Sequence, residues 1–167
     1  MNKTEFDNII KMNLVEKYGE DKFGYIIEDK PYDNYYCNEE FQMFKNEMEH
    51  KEEYSKYYNC YYAGAGSELI EKKSRYGLVP PKMASVASSS RFCYLALRDG
   101  AEKIGGSGTV KFEYECRING VAGTAPQLDA YISNENIYVE AKCHEIFDLH
   151  KIEMKEKYWN FISEERK

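Results

Sequence analysis

The chain has 167 residues and a formal net charge of −6, from 23 basic and 29 acidic side chains. This length suits one domain with a sizeable core and an appendage, and no run of about 18 apolar residues is present that could cross a membrane. The acidic balance is not that of a general nucleic-acid binder, although a local basic face can exist on an acidic chain.

The cysteines and the first twenty residues indicate the cellular compartment of the protein. The five cysteines are widely spaced and form no CxxC pair, which predicts reduced thiols rather than a disulfide framework or a structural zinc site. The opening twenty residues are charged throughout and lack the apolar run of a signal peptide. We therefore expect a cytoplasmic protein with no membrane partner.

Residues 1–62 carry the acidic excess and ten of the sixteen tyrosines. Apolar residues at helical spacing predict an amphipathic helix over residues 4–18. A loop around Pro31 is expected to lead into a second helix from about Asn38 to Tyr58. Tyrosines can stack on bases, but on a helix they more often pack and form hydrogen bonds. We interpret this part as a helical, Tyr-rich acidic appendage.

Two further helices are predicted in the middle of the chain. In "GAGSELIEKKSRYG", Ser67 is a candidate N-cap for a helix that begins with Glu68. Two prolines end this segment, and a second helix is expected from about Lys82 to Lys103. Small residues occupy its first half and would let another backbone approach closely.

Three strands and a closing helix are predicted after residue 105. "TVKFEYECRI" alternates apolar and charged residues, which predicts a strand with one buried face. "QLDAYISNENIYVEAKCHEI" reads as a hairpin, and a turn at Asn134 and Glu135 would place Asp129 opposite Glu140. "LHKIEMKEKYWNFISEERK" is expected to form the last helix.

The predicted hairpin has two carboxylates facing each other, which repel when both are ionised. Lys142 lies on the same face as Glu140 and would relieve part of this repulsion. A hard divalent cation, which prefers oxygen ligands, is one explanation of the pair, and a solvated sheet face of mixed charge is the other. The residue chemistry leaves both open.

The order Asp129, ten residues, Glu140, Ala141, Lys142 resembles the motif of the PD-(D/E)xK nuclease superfamily, although its proline is at Pro126. "GAGSEL", "ASSSRF" and "EAKCHE" are also similar to an uncharacterised bacterial branch of this superfamily. The fold implied for residues 63–167 is a mixed α/β (α+β) restriction-endonuclease-like core: a helix, a three-stranded antiparallel meander and a helix. No strand follows the last predicted helix, so we expect the final core strand to be missing.

The resemblance implies a Mg²⁺-dependent endonuclease of restriction or defence type that hydrolyses DNA phosphodiester bonds, with Mn²⁺ able to replace Mg²⁺. Relatives often dimerise, so DNA and a homodimer are the implied partners. The implied metal ligands are Asp129, Glu140, the backbone carbonyl of Ala141 and Glu68. Lys142 would complete the catalytic set by orienting the attacking water or steadying charge on a phosphate oxygen.

Other readings of these residues stay open at this level. Ser88, Ser89 and Ser90 could contact phosphates, yet small residues that open a buried helix need no ligand. Glu68 near a helix start would be stabilised by the helix dipole alone, and Glu145 could pair with a basic side chain. One alternative function is a catalytically inactive nuclease-fold protein that binds nucleic acid or a protein partner. Another is a metal-dependent RNA nuclease.

Overall fold

A computed structural model describes residues 2–62, 68–117 and 125–143. These residues form four α-helices and three small antiparallel sheets, which confirms the predicted mixture of helix and strand. The helices are α1 Lys3–Tyr18, α2 Asn38–His50, α3 Glu52–Tyr62 and α4 Ser89–Leu97. The strands are β1 Phe23–Ile27, β2 Lys30–Tyr36, β3 Lys72–Ser74, β4 Gly77–Val79, β5 Val110–Glu115, β6 Gln127–Ile132 and β7 Ile137–Val139. Within the described ranges, every helix is too short or too polar to span a bilayer.

The first predicted helix is confirmed as α1. A capping box begins it: the Asn2 side chain accepts from the amide of Glu5, and the Glu5 carboxylate accepts from the amide of Asn2. The loop predicted around Pro31 is wrong, because β1 and β2 pair as a hairpin there. Its two-residue turn places Glu28 and Asp29 at positive φ. Asn and Gly are the residues that usually predict such a turn, so this sequence indicates it only weakly.

The predicted helix from Asn38 to Tyr58 is two helices in the structure. The backbone is extended at Lys51, which separates α2 from α3. The apolar face of α2 buries two phenylalanines and a methionine, and α3 buries three tyrosines at positions 54, 57 and 61. These tyrosines therefore pack in the core, as the alternative to base stacking anticipated.

The helix predicted to begin at Glu68 is wrong. Glu68 and Leu69 form a turn, and β3 and β4 follow as a short hairpin. Glu68 is bonded to distant backbone instead of to its own helix: its amide donates to the Tyr61 carbonyl, and its carbonyl accepts from the Met83 amide. The proposed cap, Ser67, lies outside the described residues.

The helix predicted from Lys82 to Lys103 is shorter than expected. A 3-10 turn covers Lys82–Ala84, and α4 covers only Ser89–Leu97. The side chain of Ser88 accepts a hydrogen bond from the amide of Arg91 and caps α4. The start of α4 therefore lies inside the predicted segment, after a turn at residues 86–87.

The predicted three-stranded antiparallel meander is confirmed, with strand order β5-β6-β7. Ala130 pairs with Val139 and Ile132 with Ile137, in the register expected from a turn at residues 134 and 135. However, β7 ends at Val139, so the prediction that residues 140–142 lie within the third strand is wrong.

The core joins residues from both sides of the predicted boundary at residue 62. The ring of Tyr94 on α4 packs against Phe44, Tyr57 and Phe112, with ring centroids 5.7, 6.3 and 5.6 Å away. The buried side chains of α2, α3, α4, β5 and β6 belong to one hydrophobic cluster. The predicted closing helix and Glu145 lie in residues 144–167, outside the described ranges.

Candidate metal and active site

An open cleft of about 310 Å³ lies between the turn at Glu68, the first residues of α4 and the strands β5 and β6. Four carboxylates line it, and we call it the carboxylate cleft: Glu68, Glu113, Asp129 and Glu140. Three of these acids are the ones that the sequence motif predicted. The fourth, Glu113, is not part of the motif. The other lining residues are Lys82, Ser89, Ser90, Gln127 and Leu128.

Glu68 reaches the cleft from a fixed turn. Its side chain is only 5% exposed, and its Oε1 is 2.7 Å from Nζ of Lys82. Lys82 is 61% exposed, so its ammonium group remains in contact with solvent while it neutralises the buried acid. Glu68 is thus held by an ion pair at its side chain and by two backbone hydrogen bonds, rather than by a helix dipole.

Asp129 lies in β6 and is partly buried. Its Oδ2 accepts a hydrogen bond of 2.7 Å from the amide of Ala141. Burial raises the pKa of Asp129, the Ala141 hydrogen bond opposes this rise, and the charge on Glu140 adds to it. The predicted repulsion between the two motif acids is therefore present, although Glu140 follows the end of β7 and is not a strand partner of Asp129.

The pKa of Glu113 is raised further above its ordinary value than that of Asp129. Burial raises the pKa of Glu113 to about 7, and the nearby charges of Glu68, Asp129 and Glu140 also raise it, while Lys82 lowers it. Near neutral pH the Glu113 carboxyl is therefore about half protonated. A group in this state can either donate or accept a proton.

Glu113 lies at a local irregularity of β5. Strict alternation predicted Tyr114 on the buried face with Val110 and Phe112. Instead, the ring of Tyr114 stacks on Tyr131, which lies on the other face of the sheet, with 4.5 Å between centroids. The φ of Glu113 is +49°, in the left-handed region, and the regular alternation is interrupted there, although the strand register is the same before and after this residue. Such a conformation costs about 1–3 kcal/mol outside glycine.

Lys142 contacts one of the acids that it was predicted to assist, although it does not line the cleft. Its Nζ is 2.6 Å from Oε1 of Glu140, and both side chains are about half exposed. Lys142 lines a separate cavity of about 370 Å³, which we call the apolar groove. The groove is also lined by Phe6 and Ile10 of α1 and by Arg91 of α4. In the described chain, the basic residue that lines the cleft is Lys82.

The three predicted serines are divided between these two cavities. Ser88 caps α4 and lines the apolar groove. Ser89 and Ser90 line the carboxylate cleft, and Ser90 is 8% exposed. Two of the three hydroxyl groups are therefore near the acids, while the third already serves the helix.

The donor set fits a hard divalent cation in its chemistry, since carboxylate oxygens are the ligands that Mg²⁺ and Mn²⁺ accept. Across residues 2–62, 68–117 and 125–143, however, no three His, Cys, Asp or Glu side chains stand in a ligating arrangement. Binding an ion would therefore require at least one cleft carboxylate to turn. The backbone carbonyl of Ala141 stays a predicted ligand; its amide is bonded to Asp129.

Comparison with known proteins gave no relative. A scan against protein-family models, a search of curated proteins and a search of solved structures each found no match. The PD-(D/E)xK assignment therefore stays a prediction that rests on the motif residues and on the cleft they line.

Proposed function

We propose that the protein is a divalent-metal-dependent endonuclease of the PD-(D/E)xK type, which hydrolyses DNA phosphodiester bonds in restriction or defence. One observation carries the proposal: Glu68, Asp129 and Glu140, predicted from a motif, line one cleft although Glu68 is far from the others in sequence. Acids gathered in a partly buried cleft repel each other, and a bound cation would relieve this repulsion.

Each cleft residue has a role in this proposal. Glu68, Asp129 and Glu140, with the carbonyl of Ala141, would hold Mg²⁺ or Mn²⁺. The bound metal supplies polarisation of the phosphate and a coordinated water of lowered pKa. Lys142, beside Glu140, would orient that water or balance negative charge as it develops.

Four side chains beyond the Asp129, Glu140 and Lys142 motif would act on the substrate. Lys82 is mostly exposed and would steady charge on a phosphate oxygen. The hydroxyl groups of Ser89 and Ser90 would donate hydrogen bonds to the phosphate. The carboxyl of Glu113, in its protonated form, would give a proton to the leaving oxygen.

Cleavage of plasmid and single-stranded DNA in Mg²⁺ or Mn²⁺ tests the proposal. We expect Asp129→Asn to lower the cleavage rate by roughly 100-fold or more, because it removes a charged metal ligand while keeping the shape of the side chain. Asp33→Asn is the matched control, since Asp33 is exposed on β2. Equal rates for the parent and Asp129→Asn, or no cleavage by the folded parent in either metal, would contradict the proposal.

A second candidate is a catalytically inactive nuclease-fold protein that binds nucleic acid or a protein partner. It is favoured by the lack of a ready three-ligand arrangement in the described residues and by the position of Lys142 in the apolar groove. Binding of DNA in Ca²⁺ without any cleavage in Mg²⁺ or Mn²⁺ would support this candidate. An RNA substrate in the same assay covers the remaining candidate, an RNA nuclease.

A further inference from the structure

Three tyrosine rings pack against one another on the three-stranded sheet, and we call them the tyrosine ladder: Tyr114 of β5, Tyr131 of β6 and Tyr138 of β7. The rings of Tyr114 and Tyr131 are stacked, with centroids 4.5 Å apart and planes inclined by 21°. The ring of Tyr138 is tilted against both, with its centroid 5.1 Å from that of Tyr131 and 6.3 Å from that of Tyr114. The three rings therefore form one compact aromatic surface.

The ladder lies on the sheet face opposite the core. Phe112, Ala130 and Ile132 are buried on the other face. Tyr138 is 54% exposed, and its strand β7 is at the edge of the sheet. The ladder therefore includes a ring, that of Tyr138, that remains accessible to solvent.

Cross-strand pairing explains only part of this arrangement. Tyr131 and Tyr138 are direct strand partners, and such aromatic pairs stabilise a sheet. Tyr114 is not a partner of Tyr131 in the register and reaches this face directly after the irregularity of β5. The residue at this irregularity, Glu113, is itself one of the cleft acids.

The ladder and the cleft adjoin along β6, where Tyr131 is two residues from Asp129. Glu140 directly follows the end of β7, two residues after Tyr138. Two residues of a strand span about 6.6 Å. A chain stacked on the ladder would thus have its backbone within reach of the cleft acids.

We infer that the tyrosine ladder is a stacking platform for unpaired bases of single-stranded nucleic acid. Unpaired bases expose the faces that an aromatic ring needs, whereas bases inside a duplex already stack on each other. The exposed Lys111, the strand partner of Tyr131, supplies positive charge beside the rings for the phosphate backbone. The inference rests on the proposed function for the cleavage step, while base stacking itself needs no catalysis.

Fluorescence anisotropy of a labelled oligonucleotide of about 12 nucleotides tests the inference. The buffer contains EDTA, which removes divalent metal ions and so prevents cleavage. The probe is used as DNA and as RNA, because both have unpaired bases. We expect Tyr138→Ala to weaken binding of one or both by roughly tenfold, since stacking of one base contributes about that factor. Tyr138→Phe keeps the ring and should stay within about twofold of the parent.

Two further variants separate stacking from misfolding and from surface effects. Tyr138→Thr removes the ring but retains strand propensity, and it should lose affinity as Tyr138→Ala does while the protein stays folded, with a small decrease in melting temperature from the lost aromatic pair. Tyr76→Ala removes a tyrosine that is 78% exposed on the β3–β4 turn, and it should bind like the parent. A duplex probe should bind the parent more weakly than the single strand.

Several outcomes would overturn the inference: no binding of any single strand by the folded parent, equal binding by the parent and Tyr138→Thr, equal loss with Tyr138→Phe, or equal affinity for the duplex. A change in oligomeric state with Tyr138→Thr would mark the ladder as a protein interface instead. Failure of the nuclease proposal is seen separately. If binding depends on the ring but no cleavage occurs in Mg²⁺ or Mn²⁺, the inference about the ladder stands and the nuclease proposal fails. If the parent cleaves and Tyr138→Thr cleaves at the same rate, the nuclease proposal stands and the inference about the ladder fails.

Discussion

The carboxylate cleft and the apolar groove lie at the start of α4 and divide a linear motif between them. Ser89, Ser90 and Glu140 line the cleft, whereas Ser88 and Lys142 line the groove. Residues that are neighbours in sequence therefore lie in surroundings of opposite character. The division follows from two local events, the capping of α4 by Ser88 and the end of β7 at Val139. A motif of consecutive residues thus need not form one site.

The largest effect on stability is expected on the groove side, at Arg91. Its guanidinium group lies 3.8 Å from the ring centroid of Tyr36 and 4.3 Å from that of Phe44, and it donates to the Met83 carbonyl. Arg91→Ala removes these contacts from a mostly buried position. We expect the free energy of unfolding to fall by about 2–4 kcal/mol in urea denaturation.

Arg75→Ala is the control for this change. Arg75 is exposed on the β3–β4 turn, where it lies over the ring of Tyr76. We expect a loss below about 0.5 kcal/mol there. Similar losses for the Arg91 and Arg75 variants would contradict the assignment of Arg91 to a packed groove.

On the cleft side the next effect depends on pH. The folded pKa of Glu113, about 7, lies above its ordinary value of 4.5, so the folded state favours the protonated form. The contribution of this group to stability is fully present below pH 4.5 and is lost as the pH rises through 7. Glu113→Gln should therefore raise the free energy of unfolding at pH 8 by about 1–2 kcal/mol, after allowance for solvent screening, and have little effect at pH 4.5.

Urea denaturation of metal-free protein at pH 4.5 and pH 8 measures this difference. Glu115→Gln is the neighbouring control, because Glu115 is exposed and pairs with Arg117. A stabilisation of Glu113→Gln that is the same at both pH values would show that repulsion among the cleft acids is not its source.

The serines offer a smaller and more selective contrast. Ser88→Ala removes the hydroxyl group that caps α4, and we expect it to lower stability by about 1 kcal/mol with little effect on cleavage. Ser89→Ala should leave stability nearly unchanged and slow cleavage, because its hydroxyl group lines the cleft. Thermal melts and cleavage rates measured on the same samples check this contrast. A loss of stability with Ser89→Ala, or slower cleavage with Ser88→Ala alone, would contradict it.

The smallest effect on stability is expected at the Lys142–Glu140 ion pair. Both side chains are about half exposed, and exposed pairs contribute little. Lys142→Met should change the free energy of unfolding by less than about 0.5 kcal/mol. If Lys142 assists catalysis, as the motif implies, the cleavage rate of Lys142→Met should still fall strongly. A Lys142→Met variant that cleaves at the parent rate would instead assign the catalytic role of the base to Lys82.

The sequence allowed the mixed α/β class, α1, the meander and its register to be predicted, because alternation and helical spacing are local signals. Non-local bonds explain the errors. Glu68 was predicted to begin a helix, but its backbone is bonded to Tyr61 and Met83. The left-handed φ of Glu113 has no sequence signal at a glutamate, so the position of Tyr114 could not be predicted by alternation. The fourth cleft acid was missed because the pairing of β5 with β6, which brings Glu113 beside Asp129, is not a local signal.

The central claim, that Glu68, Asp129 and Glu140 bind one divalent cation together, is tested most directly by Mn²⁺ titration followed by electron paramagnetic resonance. We predict one bound Mn²⁺ per parent chain. Glu68→Gln, Asp129→Asn and Glu140→Gln should each weaken its affinity by roughly tenfold or more, and Asp33→Asn should leave it unchanged. Absence of Mn²⁺ binding by the folded parent, or an affinity that none of the three variants alters, would contradict the claim.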